Sequence, residues 1–268
     1  MTELDPRAAA RAIALDAANA YREAFADRLL AAYALGSVAH GGYAAAVSDI
    51  DLGLVLAEIR DGDACLVESI REALLARGPL YRKLSVFWAS LPALRAGQGD
   101  GRFPAIDRLD LHNNGELLFG ADVAEQAAVA TAEELLLDSA RFAITLLASD
   151  EVIAECHRPQ RLLTDSVYFT KAVLFPVRFL FSTRKTEGRA ATNDEAIDWY
   201  LAQPEAVASG LVLLAAQVRR GAPLESDQAA PLLAAGLIPL YRHYIEDLTP
   251  HLPADLVDTF TQWSQRLG

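Results

Sequence analysis

A chain of 268 residues with 52% hydrophobic and 22% charged residues is long enough for one large domain or two modest ones. Its composition excludes extended disorder. No apolar run approaches the roughly 20 residues of a membrane span. The net charge of −12 would repel a polyanion on average, so nucleic acid is excluded as the expected partner and a small-molecule substrate is favoured. Met1-Thr2-Glu3-Leu4-Asp5 lacks the basic and then apolar pattern of a secretion signal. Cys65 and Cys156 lack CxxC spacing and fit unpaired thiols, so a cytoplasmic location is expected. No oligomeric state follows from the sequence.

In chain order, Asp5-Pro6 forms a helix start, an acidic cap followed by proline in the first turn. Ile13, Ala17, Tyr21 and Phe25 then recur at helical spacing, and the alanine-rich stretch predicts a helix to about Arg28. Leu29 to Leu35 reads as a short buried strand that stops at Gly36-Ser37, and Ser37 to about Gly42 as a short helix. Asp49 to Leu56 is a second strand, Asp63 to Arg77 a helix closed by Gly78-Pro79, and Leu84 to Leu91 a third strand. Pro92 to Phe103, with three glycines, reads as loop, and Glu116 to Gly120 as a short apolar segment. Beyond about Thr131 every segment reads as helix: Ala132 to Ala148, Arg161 to Thr183, Thr192 to Gln203, Glu205 to Arg219, Gln228 to Leu248 and Ala254 to Arg266. Pro176 is expected to kink or split the second of these. Thr192 and Glu195 match a capping box. The expected fold class is α+β, with a mixed sheet and flanking helices over 1–125 and an all-α bundle over 126–268.

The chemistry is carried by Leu35-Gly36-Ser37, then eleven residues, then Asp49-Ile50-Asp51-Leu52. A strand running into Gly-Ser at a helix start leaves backbone N–H groups aimed outward, where they and the Ser37 hydroxyl suit a phosphate tail. Side chains alternate along a strand, so Asp49 and Asp51 are expected on one face with Ile50 and Leu52 in the core. Two carboxylates so close repel each other unless a cation lies between them. Mg²⁺ is the natural choice, because it takes carboxylate, water and phosphate oxygens. Asp49 and Asp51 are therefore the expected metal ligands, with Ser37 beside them in the catalytic set.

This Gly-Ser…Asp-x-Asp arrangement resembles the signature of polymerase β-like nucleotidyltransferases, most nearly the small-molecule adenylyltransferases that modify aminoglycosides at a hydroxyl. Leu117-Leu118-Phe119-Gly120 resembles the segment that closes the catalytic domain in that family. Lys171 to Trp199, with Arg178, Thr186, Gly188 and Ala196-Ile197-Asp198-Trp199, is similar to its helical domain. The resemblance implies a palm-like first domain and transfer of a nucleoside monophosphate, AMP from Mg-ATP, onto a small-molecule hydroxyl. It implies ATP as substrate and Mg²⁺ as cofactor. Gly36, Ser37, Ser48, Arg178 and Lys185 are the expected cofactor-binding positions, with turn capping as the other reading of Ser48.

The family also supplies a third carboxylate from the next strand, and here Ser85 stands in its place; nothing from Ala73 to Gly99 is Asp or Glu. Three explanations stay open. The base comes from elsewhere, with Asp107, Asp110, Glu116 and His112 nearest in sequence. The reaction runs on metal and positioning alone. Or the protein is a catalytically impaired, ligand-binding regulatory relative. Asp107, Asp110 and Glu116 otherwise read as solvated acids on loops and helix ends, and His112 as part of an exposed turn, His112-Asn113-Asn114-Gly115. His40 reads either as a phosphate contact or as a loop histidine. Arg178, Arg184, Lys185 and Arg189 form the one basic stretch, a triphosphate contact or a solvated helix end. By the resemblance Trp199 and Asp198 are candidates to line the acceptor pocket, and Trp199 otherwise reads as core. Glu187, Asp194, Asp198 and Glu205 are acids that suit a cationic acceptor such as an aminoglycoside.

Overall fold

In a computed structural model, which describes residues 5–185 and 192–268, the chain divides into two compact units that meet in sequence between Thr131 and Ala132. Thr186, Glu187, Gly188 and Arg189, and the side chain of Lys185, lie outside the described residues.

The first unit begins with α1 (Pro6–Phe25), capped by the Asp5 carboxylate, which accepts from Arg7 N at 3.0 Å. Ala10, Ala14, Ala17 and Ala18 are fully buried along one face, and their small side chains let the helix lie close on the sheet. There follow β1 (Leu29–Leu35), α2 (Gly36–His40), β2 (Ile50–Leu56), α3 (Asp63–Leu75), β3 (Leu84–Ser90), α4 (Leu91–Ala96), α5 (Ala105–Asn114) and β4 (Glu116–Gly120). The strands form one mixed sheet in the order β3-β2-β1-β4; β2 and β3 are parallel and the other pairs antiparallel. Such a parallel pair needs a crossover, and α3 supplies it. One sheet face, with Ala32, Ala34, Leu52, Leu54 and Val86, packs against α1 and α3. The other, with Tyr33, Leu35, Phe87 and Ala89, packs against Phe103, Leu94 and Leu111. A sheet buried on both faces explains why β1 and β2 read as continuous apolar runs rather than alternating ones.

Two departures from the sequence reading occur here. The stretch expected as loop from Pro92 contains α4, because Pro92 sits at its start and the Ser90 hydroxyl caps it by accepting from Ala93 N at 3.2 Å. The residues read as the exposed turn 112–115 are instead the last turn of α5, whose Gly115 N–H donates back to Leu111 O.

The second unit is helical, as expected: α6 (Ala132–Leu146), α7 (Asp150–His157), α8 (Ser166–Lys185), α9 (Asn193–Leu201), α10 (Ser209–Arg219), α11 (Ser226–Leu248) and α12 (Ala254–Arg266). The sequence reading missed α7, which the Ser149 hydroxyl caps and Asp150 and Glu151 open. Pro176 does not split α8, whose face of Phe169, Val173, Val177 and Leu180 stays buried on both sides of it. Tertiary packing outweighs the lost backbone bond. Helix α10 starts four residues later than expected, because the Tyr200 hydroxyl ties down Val207, donating to its carbonyl at 3.0 Å and accepting from its N–H at 3.2 Å. The core of the unit is aromatic: Tyr241, Tyr244, Phe260 and Trp263 are buried and meet edge-on or tilted.

Candidate active site

Strand β1 delivers Gly36 directly from the core. Leu35 is fully buried and extended, and Gly36 then turns into the left-handed region with φ 58°. A Cβ at Gly36 would sit inside the contact distance of the Asp51 carboxylate oxygen Oδ2, so only glycine fits both the conformation and the space. The register explains this approach: Leu35 pairs with Asp51 across the antiparallel β1/β2 ladder, and Asp51 pairs with Ser85 across the parallel β2/β3 ladder. Register partners share a face. Leu35, Asp51 and Ser85 therefore stand in one row on the side of the sheet away from α1, with Asp51 half-buried between a bend and a serine.

Asp49 is exposed and immediately precedes β2, which starts at Ile50 rather than at Asp49. The loop that carries it is tied internally and from outside. Ser48 N donates to Ala44 O at 2.8 Å, Ala44 N donates to the Ser48 hydroxyl at 3.0 Å, and Lys83 Nζ donates to the carbonyls of Ala45 (2.6 Å) and Ser48 (3.3 Å). Burial, reinforced by the nearby Asp49 charge, pushes the Tyr43 hydroxyl above its ordinary pKa. That places Asp49 near Tyr43.

Helix α2 is gripped at both ends. At its end Arg7 donates to Val38 O (2.7 Å) and Ala39 O (2.9 Å), satisfying carbonyls that a helix leaves open. At its start the Gly36 N–H donates to Asp110 Oδ2, and Asn114 Nδ2 donates to Asp110 Oδ1 at 2.9 Å. Asp110 is 6% exposed, so its reading as a solvated acid is overturned: α5 carries it into the interior between Leu109 and Leu111. The Gly36 N–H, expected to face a phosphate, is engaged by this carboxylate.

The other sequence candidates separate cleanly. Glu116 pairs in register with Ala34, on the sheet face that packs against α1, and its carboxylate forms ion pairs with Arg7 and Arg11. It stands on the opposite face from Asp51. Asp107 lies in the first turn of α5, half-buried, and His112 in its last turn, half-buried, not in an exposed turn. His40 is the last residue of α2, and Ser37 is buried. In the second unit Arg184 is committed to Asp247 and Glu205. Asp194 pairs with the buried Arg219 at 3.3 Å and with Arg220 at 3.2 Å. Burial lowers the Arg219 pKa, Asp194 opposes that shift, and the charge of Arg178 adds to it, so Arg178 lies near this pair. Asp198 is exposed, and Trp199 is half-buried with its ring edge-on to Phe181. Sequence reasoning missed Lys83 and Arg7 as holders of the site. Each acts through backbone carbonyls that leave no trace in a motif.

The first unit is thus a mixed sheet on which β1 ends in a glycine bend that meets an aspartate of β2, and an all-helical unit follows it in the chain. No family model matches the chain, and no curated protein is recognisably similar to it in sequence. Among solved structures it is similar to the spectinomycin adenyltransferase AAD(9) from Enterococcus faecialis, determined with ATP and spectinomycin. The TM-score is 0.54 at 13% identity, over 94% of this chain and 98% of that one. At that identity the likeness establishes a common fold.

Proposed function

We propose that this protein transfers a nucleoside monophosphate, AMP from ATP, onto a hydroxyl of a small-molecule acceptor. One observation carries the reading: the Asp51 carboxylate rests against Gly36 at the end of β1. This juxtaposition supports a nucleotidyl-transfer site, because it sets a glycine bend beside an acid able to hold a metal.

The donor set suits Mg²⁺. Asp49 and Asp51 offer hard carboxylate oxygens, and Mg²⁺ is commonly held by one or two carboxylates with phosphates and waters completing the shell. When bound, Mg²⁺ neutralises charge on the phosphates and on the departing pyrophosphate. The chain's own residues do the rest. The Gly36–Ser37 bend and its helix seat the β- and γ-phosphates. The acceptor hydroxyl oxygen forms a bond to the α-phosphorus as the bond from the α-phosphorus to the bridging oxygen breaks; the pyrophosphate leaves with that oxygen, and the hydroxyl proton passes to solvent. Holding both in line supplies much of the acceleration, since positioning alone is worth several kcal/mol. A net charge of −12 suits a cationic acceptor of the aminoglycoside type, and the similar fold of a protein determined with ATP and spectinomycin supports that class.

A second reading rests on Ser85, which occupies the β3 position beside Asp51 where the resemblance expects an acid. On that reading the protein binds nucleotide without turning it over. Calorimetric titration of Mg-ATP into the wild-type chain and Asp49→Asn tests the site, with binding expected only in the former. Pyrophosphate release across a panel of hydroxyl acceptors separates the two readings: release with any acceptor supports transfer, and none with tight binding supports the second.

A further inference from the structure

We infer that Asp110 is a positioning residue of this site: its carboxylate locks the Gly36–Ser37 bend in the conformation that meets Asp51. The inference rests on the functional reading above and adds a residue that no strand of the motif contains. A carboxylate that is 6% exposed is costly to keep charged unless hydrogen bonds replace its water. Among the described residues Asp110 forms no ion pair. Its partners are two N–H donors, one per oxygen: Gly36 N–H on Oδ2 and Asn114 Nδ2 on Oδ1. A carboxylate hydrogen bond to a backbone N–H is roughly twice as strong as a neutral one.

The target of that bond is what gives it meaning. Gly36 is held at φ 58°, a conformation glycine shares nearly equally with its mirror region, so the residue does not define its own geometry. Asp110 holds its nitrogen, while the Asp51 carboxylate lies where a Cβ would stand. Arg7 holds the far end of the same five-residue helix by its carbonyls. The bend is thus held from α5 and α1, and Asp51 meets a segment tied at both ends. Each Asp110 oxygen accepts one of these N–H groups, so its action is assigned to the bend and not to the reacting atoms.

Three variants and two readouts test this. Asp110→Asn keeps an oxygen for the Gly36 N–H, and its new amide can donate to the Asn114 oxygen once that side chain flips, so the tie survives without the charge. Asp110→Ala removes the tie, and Asn114→Ala removes only the supporting partner. Hydrogen exchange at the Gly36 amide reads the tie directly and needs no turnover, so it remains decisive even if pyrophosphate release is absent in the wild type and the transfer reading fails. The expected result is loss of Gly36 amide protection in Asp110→Ala alone. With it, kcat should fall about 100-fold while KM for Mg-ATP changes less than about threefold, as a misplaced catalytic group produces. Asp110→Asn is expected to recover kcat to within about tenfold of the wild type. Should Asp110→Ala fail to fold, the Asn variant with intact amide protection carries the test. Asp110→Asn as damaged as Asp110→Ala in a folded protein, or full Gly36 protection without the carboxylate, would overturn the assignment.

Discussion

Replacing Gly36 by alanine separates backbone strain from contact, because Gly41 at the other end of the same short helix offers a matched control. Gly36 has φ 58° and Gly41, at the other end of α2, has φ 95°. A left-handed conformation costs a residue with a Cβ roughly 1–2 kcal/mol, so both variants should lose similar stability, worth about 2–8 °C of melting temperature in a protein of this size. Only Gly36 has a neighbour. A Cβ there must displace the Asp51 carboxylate by about 1 Å to reach ordinary contact, and a misplacement of that size costs a catalytic site about 100-fold. A Cβ at Gly41 meets nothing within 4 Å. Thermal unfolding measures the shared term, and Mg-ATP affinity with pyrophosphate release measures the difference. The expected outcome is two comparably stable variants, of which Gly41→Ala binds and turns over normally and Gly36→Ala does not. Equal function in both would refute the idea that Asp51 works against the bend.

Ser85→Glu places an acid beside Asp51 across the parallel pair; the apparent Mg²⁺ affinity in a turnover assay should rise about tenfold with the added charge, and an unchanged Mg²⁺ dependence would show that this position does not face the metal. Asp63 is buried and takes two hydrogen bonds from Arg28, at 2.8 and 2.9 Å. Those bonds hold its carboxyl below the ordinary range, against the opposing effect of burial. A depressed acid contributes stability that is complete above its unfolded-state value near pH 4 and is lost as pH falls through the lower folded-state value. Asp63→Asn should therefore cost about 2–3 kcal/mol at neutral pH, since it strands a partly buried arginine, and should flatten the acid limb of a pH–stability curve; an unchanged limb contradicts the linkage. Cys65 is exposed, whereas burial pushes the Cys156 thiol up to about 12. A thiol reagent at pH 8 should therefore label Cys65 alone until the protein unfolds, and rapid native labelling of both would show that the Cys156 pocket opens.

The legible parts of the fold were those in which local chemistry and packing agree. The β1–Gly36 junction, the β2 strand and the long helices α1, α11 and α12 carry caps, periodicity or apolar runs that say the same thing as the structure. Elsewhere a local signal pointed away from the tertiary outcome. Asn113-Asn114-Gly115 has turn composition, but Leu109 and Leu111 pack inward and hold those residues in a helix end. That same packing buries Asp110, whose partner Gly36 lies 74 residues away, a separation no motif spans. Pro176 reads as a breaker, yet it lies inside a helix whose face is buried on both sides of it. The paired aspartates were legible as a pattern. Which carboxylates share a face with them was not: Glu116 and Asp110 look alike in sequence, and only the register of β4 against β1 sends the first to the α1 side.

The decisive measurement is a crystal structure with Mg²⁺ and a non-hydrolysable ATP analogue. A metal about 2 Å from oxygens of both Asp49 and Asp51, with the triphosphate lying along the Gly36–Ser37 bend, is the expected outcome. A nucleotide seated elsewhere, or aspartates turned from it while the bend stays empty at saturating ligand, would contradict the assignment of this site to nucleotidyl transfer.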